Sequence, residues 1–194
     1  MFNGYTPQLT LDLKNRLGRL QTNVRQAGAD GLLVSTNVNL FYLSGRIFMG
    51  FIYIAVEGEP WFFVRRPCGL VGQNVVEIRK PEQIPEILHA AGVAVPGKVL
   101  LEGDDLTHSD WVRCATIFGH AKVDNGSALL RRCRSIKTPY EIRVMKKTGR
   151  RHADVVAQFA SVYEPGMTDQ AWSIEMFRMM LKAGGLGLFR IAGA

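Results

Sequence analysis

The four histidines (89, 108, 120, 152) and eight aspartates (12, 30, 104, 105, 110, 124, 154, 169) could hold a metal or move a proton. Only one stretch gathers both kinds: Asp104, Asp105, His108 and Asp110. Imidazole with carboxylates is a donor set for a divalent cation. The plainer reading is a polar loop and helix cap, with Thr107 or Asp110 at a first turn. His152 falls on the apolar face of a helical stretch and reads as a packed, hydrogen-bonded imidazole. Cys68, Cys114 and Cys133 are far apart and form no CxxC pair. That spacing points to reduced, buried thiols and away from a zinc site or a disulfide framework. No nucleophile elbow, Cys–His signature or GxxxxGK[ST] phosphate loop is present.

Any such chemistry needs elements to position it. The chain has 194 residues, 47% hydrophobic and 21% charged, which is globular composition with room for one domain and part of another. The net charge is +7, but the pairs Arg65–Arg66, Arg131–Arg132 and Arg150–Arg151 are scattered. No block of like charge or recognition motif appears, so no nucleic-acid partner is expected. An acidic part of a larger protein would balance the charge. The start, "MFNGYTPQLT", lacks the basic and apolar regions of a signal peptide, and no run approaches the roughly 20 apolar residues of a membrane span. The chain is read as soluble and cytoplasmic, with no membrane partner.

Residues 1–9 read as a lead-in. Leu13, Leu17, Leu20 and Val24 recur at helical spacing over 10–27, and Gly28 suits a C-cap. "GLLVS" (31–35) predicts a buried strand, and "TNVNLFYLSG" a polar start and a short apolar turn stopped by Gly45. "FIYIAVEG" (51–58) and "PWFFVRRP" (60–67) predict an antiparallel hairpin. A strand over 74–80, a helix over 81–92, a strand over 97–103, a helix over 107–119 and a short strand over 121–127 complete the alternation. That pattern predicts a mixed sheet with helices on both faces. "RSIK" (134–137) reads as strand-like. It runs into a capping box, with Thr138 as N-cap, Pro139 at the first helical position and Glu141 three after the cap. A long helix then carries Ile142, Met145, His152, Val155, Phe159 and Val162 on one face until "EPG" (164–166). A further helix starts at Thr168. "LGLFRIAGA" (186–194) begins what reads as a strand.

Three stretches in order carry a family resemblance. "DGLLVSTNVNLFYLSG" (30–45), preceded by Arg16 and Leu20, looks like an apolar strand, an Asn, a short helix and Tyr-Leu-Ser-Gly. "LLRRCRSIKTPYEIRVMKKTGRRHADV" (129–155) resembles an inter-domain joint. "EPGMTD" (164–169) resembles a Pro-Gly-x-Thr-Glu turn, with Asp169 in place of Glu. Together they resemble the creatinase/prolidase/aminopeptidase P family, the "pita-bread" metallopeptidases.

The resemblance implies a three-layer α/β/α domain with a mixed, ribonuclease H-like sheet over 1–130. A linker helix over 131–163 and the start of a truncated metallopeptidase domain over 164–194 would follow. It implies two divalent metals (Mn, Zn or Co) bound by two Asp eleven positions apart, a His and two Glu. No two aspartates here are eleven apart, so the metals are expected in later polypeptide and this chain is expected to be inactive alone. The function implied is the non-catalytic N-terminal portion of a metal-dependent Xaa-Pro aminopeptidase- or dipeptidase-like hydrolase. Such a domain packs across a homodimer, borders the active-site mouth and meets its own catalytic domain and the peptide substrate. Asn39, Tyr42 and Arg46 are then the candidate substrate-side residues, with Arg46 where relatives often carry an aromatic. The alternative is a protein- or peptide-binding module of the same fold without peptidase activity.

Overall fold

The computed structural model describes residues 4–66 and 69–185. The chain forms two compact units, residues 1–137 and 138–194.

The first unit opens with helix α1, Pro7–Gln26. It starts earlier than the apolar stripe predicts. The Thr6 side chain accepts from the Leu9 N–H and Pro7 sits in the first turn, so a cap and a proline begin the helix before Leu13. Strand β1, Gly31–Val34, is buried throughout, as its unbroken apolar run requires. Helix α2, Asn37–Ser44, stops at Gly45, whose φ of 70° is left-handed. Strands β2, Gly50–Ala55, and β3, Trp61–Val64, form the expected hairpin. Then come β4, Val75–Glu77, a 3₁₀ turn at Pro81–Gln83, α3, Ile84–Ala90, and β5, Lys98–Leu101. Helix α4, His108–Ile117, strand β6, Lys122–Asn125, and helix α5, Ser127–Ser135, complete the unit. The strand-like reading of 134–137 is corrected: Arg134 and Ser135 close α5. Leu130 and Cys133, three apart, bury one face of that helix, and Arg131 and Arg132 stay outside.

Among the described residues the strands form one mixed sheet of order β4-β3-β2-β1-β5-β6. β1 runs antiparallel to β2 and parallel to β5, with Leu33 opposite Leu101. Alternation along the strands splits the core in two. Leu32, Val34, Ile52, Ile54 and Phe62 pack with Leu20 and Val24 of α1, Leu40 and Leu43 of α2, and Leu130 of α5. Leu33, Tyr53, Phe63, Val99 and Leu101 pack with Ile84 and Leu88 of α3, Cys114 and Ile117 of α4, and Phe118 just after it. The unit is therefore the three-layer α/β/α arrangement.

In the second unit, α6, Pro139–Val156, opens on the capping box read from the sequence. Thr138 Oγ1 accepts from the Glu141 N–H at 3.1 Å, and Glu141 Oε2 accepts from the Thr138 N–H at 2.8 Å. The helix ends before the predicted 163. A 3₁₀ turn, Phe159–Val162, follows and α7 spans Asp169–Lys182. Val155 and Phe159 pack with Met176 in a small core, and the tighter turn lets Phe159 accept from Trp172 Nε1 at 3.1 Å. His152, expected to be packed, is exposed. The strand read over 186–194 lies outside the described residues. Among the described residues, no helix is long and apolar enough to cross a membrane.

Candidate functional site

The three candidate residues all belong to α2 and the loop after it, but they face different surroundings. Asn39 is 1% exposed. Its amide donates to Glu102 Oε1 at 2.6 Å and to Thr36 Oγ1 at 3.1 Å, and its Oδ1 accepts from Arg134 Nη1 at 3.1 Å. Tyr42 is also buried. Its hydroxyl donates to the Cys133 carbonyl at 3.2 Å and accepts from Arg19 at 3.3 Å, and the Arg16 guanidinium lies 4.8 Å from its ring centre. Arg16 also donates to the Tyr42 carbonyl at 2.8 Å and pairs with Asp12. Tyr42 thus joins α1, α2 and α5.

Arg46 alone of the three is part-exposed. Its guanidinium lies 5.5 Å from the Tyr5 ring centre and donates to the Gly69 carbonyl at 3.3 Å. Its backbone N–H donates to Ser44 Oγ at 3.1 Å, and Tyr5 donates to the Ser44 carbonyl at 2.6 Å. Around it α2 and the loop leave Val38, Phe41, Ile47 and Met49 about half exposed or more, an apolar strip on one segment of chain.

Glu102 organises this region, and the sequence reading passed over it. It is 0% exposed at the end of β5. Oε2 accepts the backbone N–H groups of Ser35 at 2.5 Å and Thr36 at 2.9 Å. Oε1 accepts from Thr36 Oγ1 at 2.5 Å as well as from Asn39. The Thr36 side chain makes no cap bond to α2, because its hydroxyl is turned to the carboxylate. A carboxylate at a helix N-terminus is favourably placed with respect to the peptide dipoles. β1 and β5 are parallel neighbours, so their carboxyl ends meet here, where open α/β sheets form clefts. The one sequence signal was an acidic residue directly after an apolar strand.

The His–carboxylate stretch does not converge. Asp104 pairs with Arg131 and accepts from Asn125 Nδ2 at 2.5 Å, which hold its carboxyl below the usual range. Asp110 accepts from Thr107 Oγ1 at 2.7 Å, and Thr107 caps α4. Among the described residues no group of three or more His, Cys, Asp or Glu could hold a metal ion. Cys114 and Cys133 are free and buried, and burial pushes the Cys114 thiol up to about 11. Cys68 lies outside the described residues.

The family model for the creatinase/prolidase N-terminal domain matches residues 16–136. Ectoine hydrolase of Halomonas elongata is 25% identical over 190 residues, covering 84% of this chain and 47% of its own. The Xaa-Pro dipeptidase from Bacillus anthracis superposes with a TM-score of 0.73 at 21% identity, over 88% of this chain and 49% of that one. A proline dipeptidase chain from Streptococcus pneumoniae is 27% identical with a TM-score of 0.52, over 62% of this chain and 98% of that one. The chain therefore spans about half the length of the curated relative it matches. Arg16, the α2 segment and α5 all fall inside the matched residues, and this chain belongs to the creatinase/prolidase N-terminal domain family.

Proposed function

We propose that the chain is the non-catalytic N-terminal portion of a metal-dependent Xaa-Pro aminopeptidase- or dipeptidase-like hydrolase. The family match over residues 16–136 carries this reading. In it, two divalent metals belong to a catalytic domain that this chain meets, and the side chains described here do not fit such a centre. The α2 segment works at the rim of that domain's active site and in a homodimer contact. Arg46 is the group offered to substrate, and Val38, Phe41, Ile47 and Met49 supply the apolar contact. Asn39 and Tyr42 act from inside, by holding α2 against Glu102, α1 and α5. A cytoplasmic location belongs to the same reading.

The test is hydrolysis of Xaa-Pro dipeptides and longer Xaa-Pro peptides by the 194-residue chain with Mn²⁺ added. No turnover is expected, and clear turnover overturns the non-catalytic assignment. Sedimentation tests the dimer: Phe41→Lys puts a charge in the apolar strip and should leave monomer. A second reading is a parent that hydrolyses a C–N bond outside an Xaa-Pro peptide. The identity with ectoine hydrolase favours it. The reading frame downstream of this sequence, expressed as one protein and assayed on both kinds of substrate, separates the two.

A further inference from the structure

Helix α6 carries Arg143, Lys146, Lys147, Arg150 and Arg151. Along the chain other residues separate these cations, so no like-charge block marks them and sequence alone points to no nucleic-acid partner. Spacings of three and four bring them to one side of the helix. There their side chains and that of Asp154 line a single open hollow.

All five cations are exposed. Among the described residues none of them makes an ion pair, whereas Arg25, Lys98, Arg113, Arg131 and Arg178 each meet a carboxylate. Arg143 lies 5.8 Å from the Tyr140 ring centre, a contact that leaves its charge uncompensated. Glu141 is engaged in the helix cap, and Asp154 is the one carboxylate among the residues lining the hollow. Arg143 and Lys147, Lys146 and Arg150, and Lys147 and Arg151 are like charges four apart, and such pairs weaken a helix by repulsion. An anionic partner removes that repulsion.

The spacing narrows the kind of anion. From Arg143 to Arg151 the helix rises about 12 Å, which sets its five charges about 3 Å apart along the axis. One strand of a DNA duplex carries a phosphate per about 3.4 Å of axis. A bilayer is a poorer match. The exposed Met145 and Val156 lie about half a turn round the helix from the cations, so a flat surface meets one side or the other.

We propose that this face of α6 binds the phosphate backbone of a double-stranded nucleic acid without reading its sequence. The guanidinium and ammonium groups pair with phosphate oxygens. Contacts to phosphates fix position and carry no base information.

The experiment is fluorescence anisotropy of a labelled, mixed-sequence DNA duplex of about 20 base pairs, titrated with the full 194-residue chain. Saturable binding is expected at low salt. With five phosphates neutralised, affinity should fall by about 500-fold between 50 and 200 mM KCl. A duplex of unrelated sequence should bind within about twofold. Replacing Lys146, Lys147 and Arg150 together by alanine should weaken binding by about tenfold or more and flatten the logarithmic salt slope by about 3. Alanine favours helix, so ellipticity at 222 nm should hold. Replacing the exposed Arg65, Arg66 and Arg79 of the first unit changes net charge equally and should alter binding by about twofold or less. No saturable binding at 50 mM KCl, or an equal loss in both triple variants, would overturn the assignment. So would polyglutamate displacing the duplex at equal charge concentration, which points to an acidic protein, or tighter capture by phosphatidylglycerol vesicles, which points to a membrane.

Discussion

Glu102→Gln preserves the shape of the side chain while removing its charge and one acceptor. If the new amide carbonyl takes the place of Oε2, it still accepts from Ser35 and Thr36. Its NH₂ then points at the Asn39 amide nitrogen, 2.6 Å from Oε1 in the native pairing. Thr36 can turn its hydroxyl to accept. Asn39 can flip, but its nitrogen then faces Arg134 Nη1, now 3.1 Å from Oδ1. One donor–donor contact remains in either arrangement. Two backbone bonds drop from charged to neutral strength at about 1 kcal/mol each, and the orphaned buried donor adds about 1–3 kcal/mol. The total is about 3–5 kcal/mol, a large part of a typical domain's stability. At about 4 °C per kcal/mol for a domain of this size, melting falls by about 12–20 °C. Thermal and urea unfolding, followed by circular dichroism and by Trp61 and Trp111 fluorescence, measure it. The second substitution Asn39→Asp supplies the acceptor that Arg134 and the new amide at position 102 both need, so the double variant should regain about 2 kcal/mol over Glu102→Gln. Asn39→Asp alone sets a carboxylate against Glu102 and should be destabilising. A loss under about 1 kcal/mol for Glu102→Gln, with no recovery in the double variant, would refute the reasoning.

Glu82 accepts from Arg113 at 2.6 and 3.0 Å, and that bond holds its pKa down to about 2 from an ordinary 4.5. A lowered folded-state pKa adds stability that is present above pH 4.5 and lost as pH falls toward 2. Because both side chains are more than a third exposed, Arg113→Ala should lower the urea midpoint only slightly at pH 7 and leave it unchanged near pH 2. A Cβ at Gly50 would lie 2.0 Å from the Phe63 carbonyl oxygen of the paired strand, so Gly50→Ala must push β2 from β3. It should lose about 3 kcal/mol or more in urea unfolding, or fail to accumulate as soluble protein. Thr138→Ala removes the cap of α6 and should cost about 1 kcal/mol in the second unit, with reduced helicity at 222 nm.

Much of the framework could be read from neighbours in sequence. Apolar alternation and runs marked the six strands, and caps marked α4, α6 and α7. Thr107, Thr138 and Thr168 each bond a backbone N–H three residues on. These are local interactions, so the residues that make them stand together on the page. The misreadings came where local signals were thin. α5 has Gly126 as N-cap, with no side-chain bond, and only Leu130 and Cys133 as an inward pair beyond its first residue. Crowded by arginines, it did not stand out as a helix.

The sequence by itself determined the alternation of elements, the helix starts and the family signature, because each depends on residues within a few positions of one another. Only the tertiary structure decided what Asn39, Tyr42 and Arg46 touch. Asn39 meets Glu102 across 63 positions and Arg134 across 95, and Tyr42 meets Cys133 across 91. A buried amide and a buried phenol look the same in sequence as exposed ones. Which polar groups are turned inward depends on which strands become neighbours, and β1 meets β5 only when the sheet is assembled.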